Sequence, residues 1–403
     1  MRNKIKKRWS TVLLFSSAQA LFQTGSILVM ALSGLVGLEI APEKSLATLP
    51  IAMISVGTVL MMILASLIIK KMGQRKAFLI GTIIGVLAGM LSFYAILKNS
   101  FVLFVLGNTL IGVCQAFTQY YRFAAADSVP QKIKGKAISF VIGGGVVAAI
   151  AGPALARSTQ NIGAVSFAYS FLSISFLSII SFLVIFGLKE KKRITAQQKD
   201  FQFKQSRPLG EIMGQNKTIL ALLSSAVGYS VMIMIMTATP LAMHHCGYSG
   251  DDSSVVIQWH VLGMFVPSFF TGTLIEKFGT GRIILSGVGI LFLHLYLVLT
   301  GTDFLHFVSG LIFLGIGWNF MFVGGSTLLS KVYREDEKEK VQAFHDFFIY
   351  IIMSISSLSA GGLLSRWGWK GVNIAAIPML LIVLGAFAIM KAKHKREKRV
   401  AGF

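Results

Sequence analysis

Within long apolar stretches of this sequence, a few residues carry polar or ionisable chemistry at spacings that group them on shared helical faces. Ser16, Gln19 and Gln23 recur at intervals of three and four, and Gln115, Gln119 and Arg122 repeat the pattern. Each set therefore lies along one side of an α-helix. Amides with a guanidinium make a hydrogen-bonding surface able to grip a planar or multiply polar solute, although the same amides could bond helix to helix. His260 and the neighbours His345 and Asp346 are the groups suited to proton chemistry. Histidine titrates near neutral pH unaided, and a desolvated carboxylate can be raised into the same range. His260 lies about 12 Å along a helix from Asp252, near the middle of a membrane-crossing segment. Asp346 lies only about 9 Å past the charged 331–340 stretch, so an interfacial gate role stands beside proton coupling.

Composition decides what must position these groups. Of 403 residues 54% are hydrophobic and only 13% charged, with a mean hydropathy of +0.72. A soluble domain carries about 25% charged residues, so this chain cannot cover itself with water-compatible surface. A disordered chain, a disulfide scaffold and an ordinary cytosolic enzyme are excluded. The two cysteines, Cys114 and Cys246, fall on different apolar runs. Runs of about 18 or more apolar residues are long enough to cross a bilayer as helix, the form that satisfies backbone amides internally in lipid. Breaking the runs at charged, Gly and Pro clusters predicts twelve spans. The first six fall near 11–36, 47–69, 77–97, 101–124, 137–156 and 164–188; the second six fall near 217–243, 253–275, 282–300, 304–330, 341–362 and 371–391. The expected fold class is an all-α polytopic membrane protein of twelve transmembrane helices. An N-terminal six-helix bundle (1–188), a cytoplasmic linker (189–216) and a C-terminal six-helix bundle (217–403) divide the chain.

The formal net charge of +22 would suggest nucleic acid in a soluble chain, but the basic residues lie between the spans. With the N-terminus in the cytoplasm, 33 of the 38 Lys and Arg fall on inner segments and 5 on outer ones. That asymmetry places both termini inside. The basic start Met1–Arg8 precedes an apolar run too long for a signal peptide, which reads as a retained first span.

The two halves of the chain match at constant offset. Gly57, Ser66, Lys71 and Gly73 correspond to Gly263, Gly272, Lys277 and Gly279, each 206 positions later. Gly107, Gly112 and Phe117 correspond to Gly310, Gly315 and Phe320, each 203 later. Such self-similarity marks a duplicated bundle with pseudo-symmetric halves. The run Gly272-Thr-Leu-Ile-Glu276-Lys277-Phe-Gly279, followed by Arg282, resembles the loop between the second and third spans of the major facilitator superfamily. In the first half the corresponding run reads Ser66-Leu-Ile-Ile-Lys70-Lys71-Met-Gly73-Gln74-Arg75, with a lysine where the acid is expected. Gly143-Gly144-Gly145 with Gly152-Pro153 resembles part of the fifth-span motif of antiporters; close helix packing with a proline kink explains the same residues.

This resemblance implies a secondary transporter that moves a small organic solute by alternating access. Spans one, four, seven and ten would line its cavity, with spans two, five, eight and eleven beside them. On that layout Ser16, Gln19, Gln23, Gln115, Gln119, Trp318 and Asn319 are candidate substrate contacts, and His260 and Asp346 candidate proton carriers. Gly73, Arg75, Arg122, Asp127, Glu276, Lys277 and Gly279 are candidate gate residues at the inner face, while direct anion binding by Arg122 is a sharper alternative. Stretches such as Gln119–Asp127 and Gly315–Gly325 also resemble a bacterial subgroup that takes up flavins or siderophores. The expected partners are a small-molecule substrate, protons and the lipid bilayer, without nucleic acid. The expected form is a monomer in the bacterial cytoplasmic (inner) membrane. His244-His245 near Asp251-Asp252 lacks the His-Glu-x-x-His spacing of a catalytic zinc site, so no metal is expected; no cofactor is expected either. With no Gly-x-x-x-x-Gly-Lys-Ser/Thr loop, ATP-driven pumping by this chain is not expected. An intramembrane enzyme acting on lipid or peptide is the rival class, and a drug or metabolite efflux antiporter is the rival transporter.

Overall fold

Twelve passes can be followed through the computed structural model, which describes residues 2–43, 46, 49–188 and 206–400. Residues 189–205, most of the expected linker, lie outside the described residues. Spans one to six are Trp9–Gly37, Leu49–Met72, Gln74–Leu97, Phe101–Ser128, Gln131–Thr159 and Ala168–Phe186. Spans seven to ten are Asn216–His245, Val255–Phe278, Thr280–Thr300 and Phe304–Leu329. The last apolar stretch, Lys338–Lys393, is 56 residues long. At 1.5 Å per residue it would measure about 84 Å, more than two bilayer cores, so it must cross twice. Gly368 breaks it at φ 64°, ψ −170°, between Arg366 and Lys370, which separates spans eleven and twelve. Leucines and valines point outward from the helices, among them Leu60, Val102, Leu183 and Leu305. In a lipid-facing surface those side chains are where they should be.

The chain forms two compact units. The first contains residues 1–129, 140–206 and 342–347; the second contains 130–139, 207–341 and 348–403. These units differ from the sequence halves in three places. Residues 130–139, at the start of span five, belong to the second unit, and residues 342–347, at the start of span eleven, belong to the first. The end of the expected linker also joins the second unit, because Leu209–Met213 is a short helix whose Ile212 is fully buried.

Within the first unit, span one packs on spans five and six, span two on four, and span three on four and six. Within the second, span seven packs on ten and twelve, span eight on ten, and span nine on ten and twelve. Glycines permit the equivalent crossings. A Cβ on Gly112 would strike the Ile54 carbonyl, and one on Gly315 would lie 2.6 Å from the His260 carbonyl, the corresponding contact in the second unit. The sequence repeat is therefore a repeated helix crossing. Span five breaks at Gly144, where a Cβ would lie 2.6 Å from the Ser16 carbonyl, so its glycines serve the close approach of span one.

Candidate functional site

A buried ionisable cluster lies in the first unit, where a six-residue piece of span eleven meets the C-terminal end of span four. The helix of span four stops at Thr118 and restarts at Tyr121, and Tyr120 donates from Oη to the Met62 carbonyl at 3.1 Å. This break turns Arg122 inward. Its Nη1 donates to Gln119 Oε1 at 2.8 Å, and its Nη2 to Asp346 Oδ1 at 2.5 Å. The guanidinium also lies 4.5 Å from the centre of the Phe123 ring. His345 Nδ1 lies 2.7 Å from the same Asp346 oxygen, and Phe123 stands edge-on to the His345 ring. Arg122 and Asp346 are 5% and 2% exposed at their side chains, and His345 is fully buried. Asp346 Oδ2 and His345 Nε2 are buried without a hydrogen-bond partner. A cation, an anion and a titratable base are thus held in one buried place, where each depends on the others' charge.

The second unit holds further charged contacts, two of which tie together residues far apart in the chain. Lys136 pairs with Glu276, and Gly272 allows this by bringing span eight against the backbone of Gly135 and Lys136. The acid of the loop motif thus has its role in the second half, where the first half carries Lys70 instead. Arg207 meets Glu337 in a two-pronged pair, Nε to Oε1 at 2.7 Å and Nη2 to Oε2 at 2.6 Å. Glu337 also accepts from the Arg334 amide at 2.9 Å. The Arg207 hydrogen bond is the main cause that pulls the Glu337 carboxyl down to about 2.

Gly73 and Gly279 adopt nearly the same backbone, φ 88°, ψ 159° and φ 87°, ψ 152°. That region is open to glycine and almost closed to other residues. Arg75 donates to the Phe186 carbonyl at 2.7 Å and lies over the Phe186 ring, so it ties span three to span six within its unit. Lys277 is exposed beside Phe278, and Asp127 is half-buried at the end of span four.

The polar stripes divide on inspection. Ser16 donates to the Phe140 carbonyl at 2.8 Å, a bond between helices. Gln115 Oε1 lies 3.3 Å from Thr58 Oγ1, and Gln119 serves Arg122, while Gln19 and Gln23 are half-buried. Asn319 joins spans eight and ten. It accepts from Thr271 at 2.7 Å and donates to the Met264 carbonyl at 2.7 Å and Ser268 Oγ at 2.6 Å. Those three bonds account for its amide as packing. Trp318 is buried, stacked on Phe322 at 5.2 Å, with Tyr229 edge-on to both and itself half-buried. His260 is fully buried, with Nδ1 2.8 Å from the Leu311 carbonyl. Outside the membrane, Ser249 and Asp252 form a capping box at the start of the helix leading into span eight. The hydrogen bonds from Ser249 lower the Asp252 carboxyl, so this acid serves as a helix cap.

Sequence reasoning missed His345 as a member of the Arg122 cluster, Lys136 as the partner of Glu276, and the Arg207–Glu337 pair. Only the adjacency of His345 to Asp346 was available as a signal. The other partners are lone charges 130 or more positions from their mates.

The model of the Major Facilitator Superfamily matches residues 13–257 and 220–402. The riboflavin transporter RfnT of Brucella anthropi is 37% identical over 374 residues, which cover 93% of this chain and 94% of that protein. Among solved structures, a double tryptophan variant of XylE has a TM-score of 0.79 at 14% identity, covering 95% of this chain and 96% of its own. The E. coli fucose:proton symporter FucP has a TM-score of 0.73 at 14% identity, covering 94% and 98% respectively.

Proposed function

As a member of the Major Facilitator Superfamily this chain is a multi-pass membrane transporter, and we propose that its solute is riboflavin or a close flavin relative, moved across the membrane by alternating access. The observation that carries the substrate is the 37% identity to a riboflavin transporter over nearly the full length of both chains. An intramembrane enzyme, the rival class, has no support among the named relatives, which are transporters.

In this reading the protein sits as a monomer in the cytoplasmic membrane with both termini inside, the orientation favoured by the 33 inner Lys and Arg. Gln19 and Gln23 offer amides to the polar edge of the solute, and the half-buried Tyr229, braced by Trp318 and Phe322, offers a ring face to its planar part. Arg122 and Asp346 form the inner latch, since this pair joins span four of the first half to span eleven of the second. Lys136 with Glu276 is the companion latch. The turns at Gly73 and Gly279 carry the helix pairs that move. Whatever weakens the attraction of Asp346 for Arg122 would loosen the latch, so this pair is the conformational step that the driving ion has to bias. His260 is the candidate proton carrier within the second unit.

The test is exchange of labelled riboflavin by the purified chain in proteoliposomes preloaded with unlabelled riboflavin. Saturable exchange, competed by other flavins, is expected. Folded protein that exchanges no flavin would refute the substrate.

A further inference from the structure

Spans eight and nine each send one fully buried histidine to the same turn of span ten. His260 Nδ1 lies 2.8 Å from the Leu311 carbonyl, and His294 Nδ1 lies 2.7 Å from the Gly310 carbonyl. The two acceptors are consecutive on the helix. A ring nitrogen facing a carbonyl must carry the hydrogen, so the remaining chemistry of both rings is at Nε2. His260 Nε2 is buried without a partner, a bare lone pair inside the protein. His294 Nε2 lies 3.2 Å from Asn373 Oδ1. The Asn373 amide is oriented by its Nδ2, which donates to the Trp369 carbonyl at 2.8 Å. His294 therefore has an acceptor at each nitrogen, the surroundings that suit a ring carrying two hydrogens. Around the pair, span ten contributes the Gly310 and Leu311 carbonyls, and the segment leading into span twelve contributes Asn373. The titratable group that acts on His294 is His260 itself.

The internal repeat provides a control for packing. At the 206-residue offset His260 corresponds to Ile54 and His294 to Ala88, both buried in the first unit. That unit builds the same crossings, with Gly112 against Ile54 and Gly107 against Ser92 of span three. The second unit has Gly315 against His260 and Gly310 against Val298. Aliphatic side chains thus satisfy this architecture. Two imidazoles in their place carry a desolvation cost that packing alone does not require.

We propose that His260 and His294 together form the site of the driving proton, with one proton held on His294 and exchanged through His260 Nε2. The inference rests on the reading of this chain as a proton-driven flavin transporter. The two rings hang from consecutive carbonyls of span ten, and one charge is assigned to the pair. His294, on a span that the family layout puts outside the cavity, acts as a positioning and holding residue, and His260, whose Nε2 has no hydrogen-bond partner, is the ring through which the proton exchanges.

The experiment uses the double variant H260I/H294A, which restores the residues of the first half, in proteoliposomes with riboflavin as the probe. Two quantities are measured: accumulation under an inward proton gradient, and exchange without one. For one proton per solute, a gradient of about one pH unit sustains about tenfold accumulation. The expected result is loss of that accumulation in the double variant and in each single variant alike, with exchange retained. Accumulation at the wild-type level in the double variant would overturn the proposal. Wild-type protein that exchanges riboflavin but ignores the gradient would also overturn it, leaving flavin transport standing. Wild-type protein without exchange would take down the flavin reading as well. If the variants lose exchange too, nitrogen-15 histidine NMR of the wild type decides. One charge on the pair, gained between about pH 9 and pH 5, supports the site, and two rings neutral throughout that range refute it.

Discussion

Asp346→Asn keeps the shape of the side chain and removes its charge, leaving the Arg122 guanidinium buried beside the neutral Gln119 oxygen and the Phe123 ring. Two unit charges about 4 Å apart attract by about 4 kcal/mol at an effective dielectric of about 20. Removing one partner of a buried pair typically costs about 3–5 kcal/mol, because the other charge stays desolvated. The Gln119 bond and the aromatic face offset about 1–2 kcal/mol of this, so a net loss of about 3 kcal/mol is expected. The loss falls on the conformation in which the pair is made, and about 3 kcal/mol shifts a two-state equilibrium by about 150-fold. The assay is a double-mutant cycle on thermal unfolding of purified protein, using Asp346→Asn, Arg122→Met and the two together. Either single change should destabilise strongly, and the double should recover most of the loss because no unpaired charge remains. Accumulation of solute should fall in Asp346→Asn while exchange persists. Single variants within about 1 kcal/mol of wild type, or a double variant as unstable as the sum of the two singles, would refute the argument.

Gly73→Val and Gly279→Val should each cost about 1–3 kcal/mol through backbone strain alone, since no atom lies within 4 Å of the added Cβ at either turn; transport rate and thermal unfolding measured together check this, and full activity with unchanged melting would contradict it. Glu337→Gln should destabilise by up to about 3 kcal/mol at neutral pH. The carboxyl is lowered from 4.5 to about 2 in the fold, so its contribution is present above about pH 4.5 and fades as pH falls toward 2. Unfolding curves of wild type and variant should therefore converge on acidification, and a gap that widens instead would be inconsistent. Cys246 is exposed and Cys114 buried, so an impermeant maleimide should label native Cys246 in intact cells. A cysteine placed at the exposed Gln131, in a Cys246→Ser background, should react only after the membrane is opened; labelling of that position from outside would invert the topology.

Much of this protein can be read from composition and offset. Apolar runs broken at charged, Gly and Pro clusters determined the spans, because a helix is the form that hides its own amides in lipid and about 20 residues cross the core. Gly73 and Gly279 were visible as a 206-residue match, and the two turns share one backbone because both halves inherit the same loop. Arg122 and Asp346 were each singled out by being charged near apolar runs, but nothing in the chain order said that they pair. They lie 224 positions apart and come together within the first unit only when the chain folds. Nor does chain order pair Lys136 with Glu276 or Arg207 with Glu337, which lie 140 and 130 positions apart. The tertiary structure also decided which polar groups are already occupied. Asn319 and Ser16 spend their hydrogen bonds between helices, whereas His260 retains a bare nitrogen. A helical period specifies the face on which a side chain sits; whether a donor or acceptor waits opposite depends on the neighbouring helix, and that is fixed only when the helices pack.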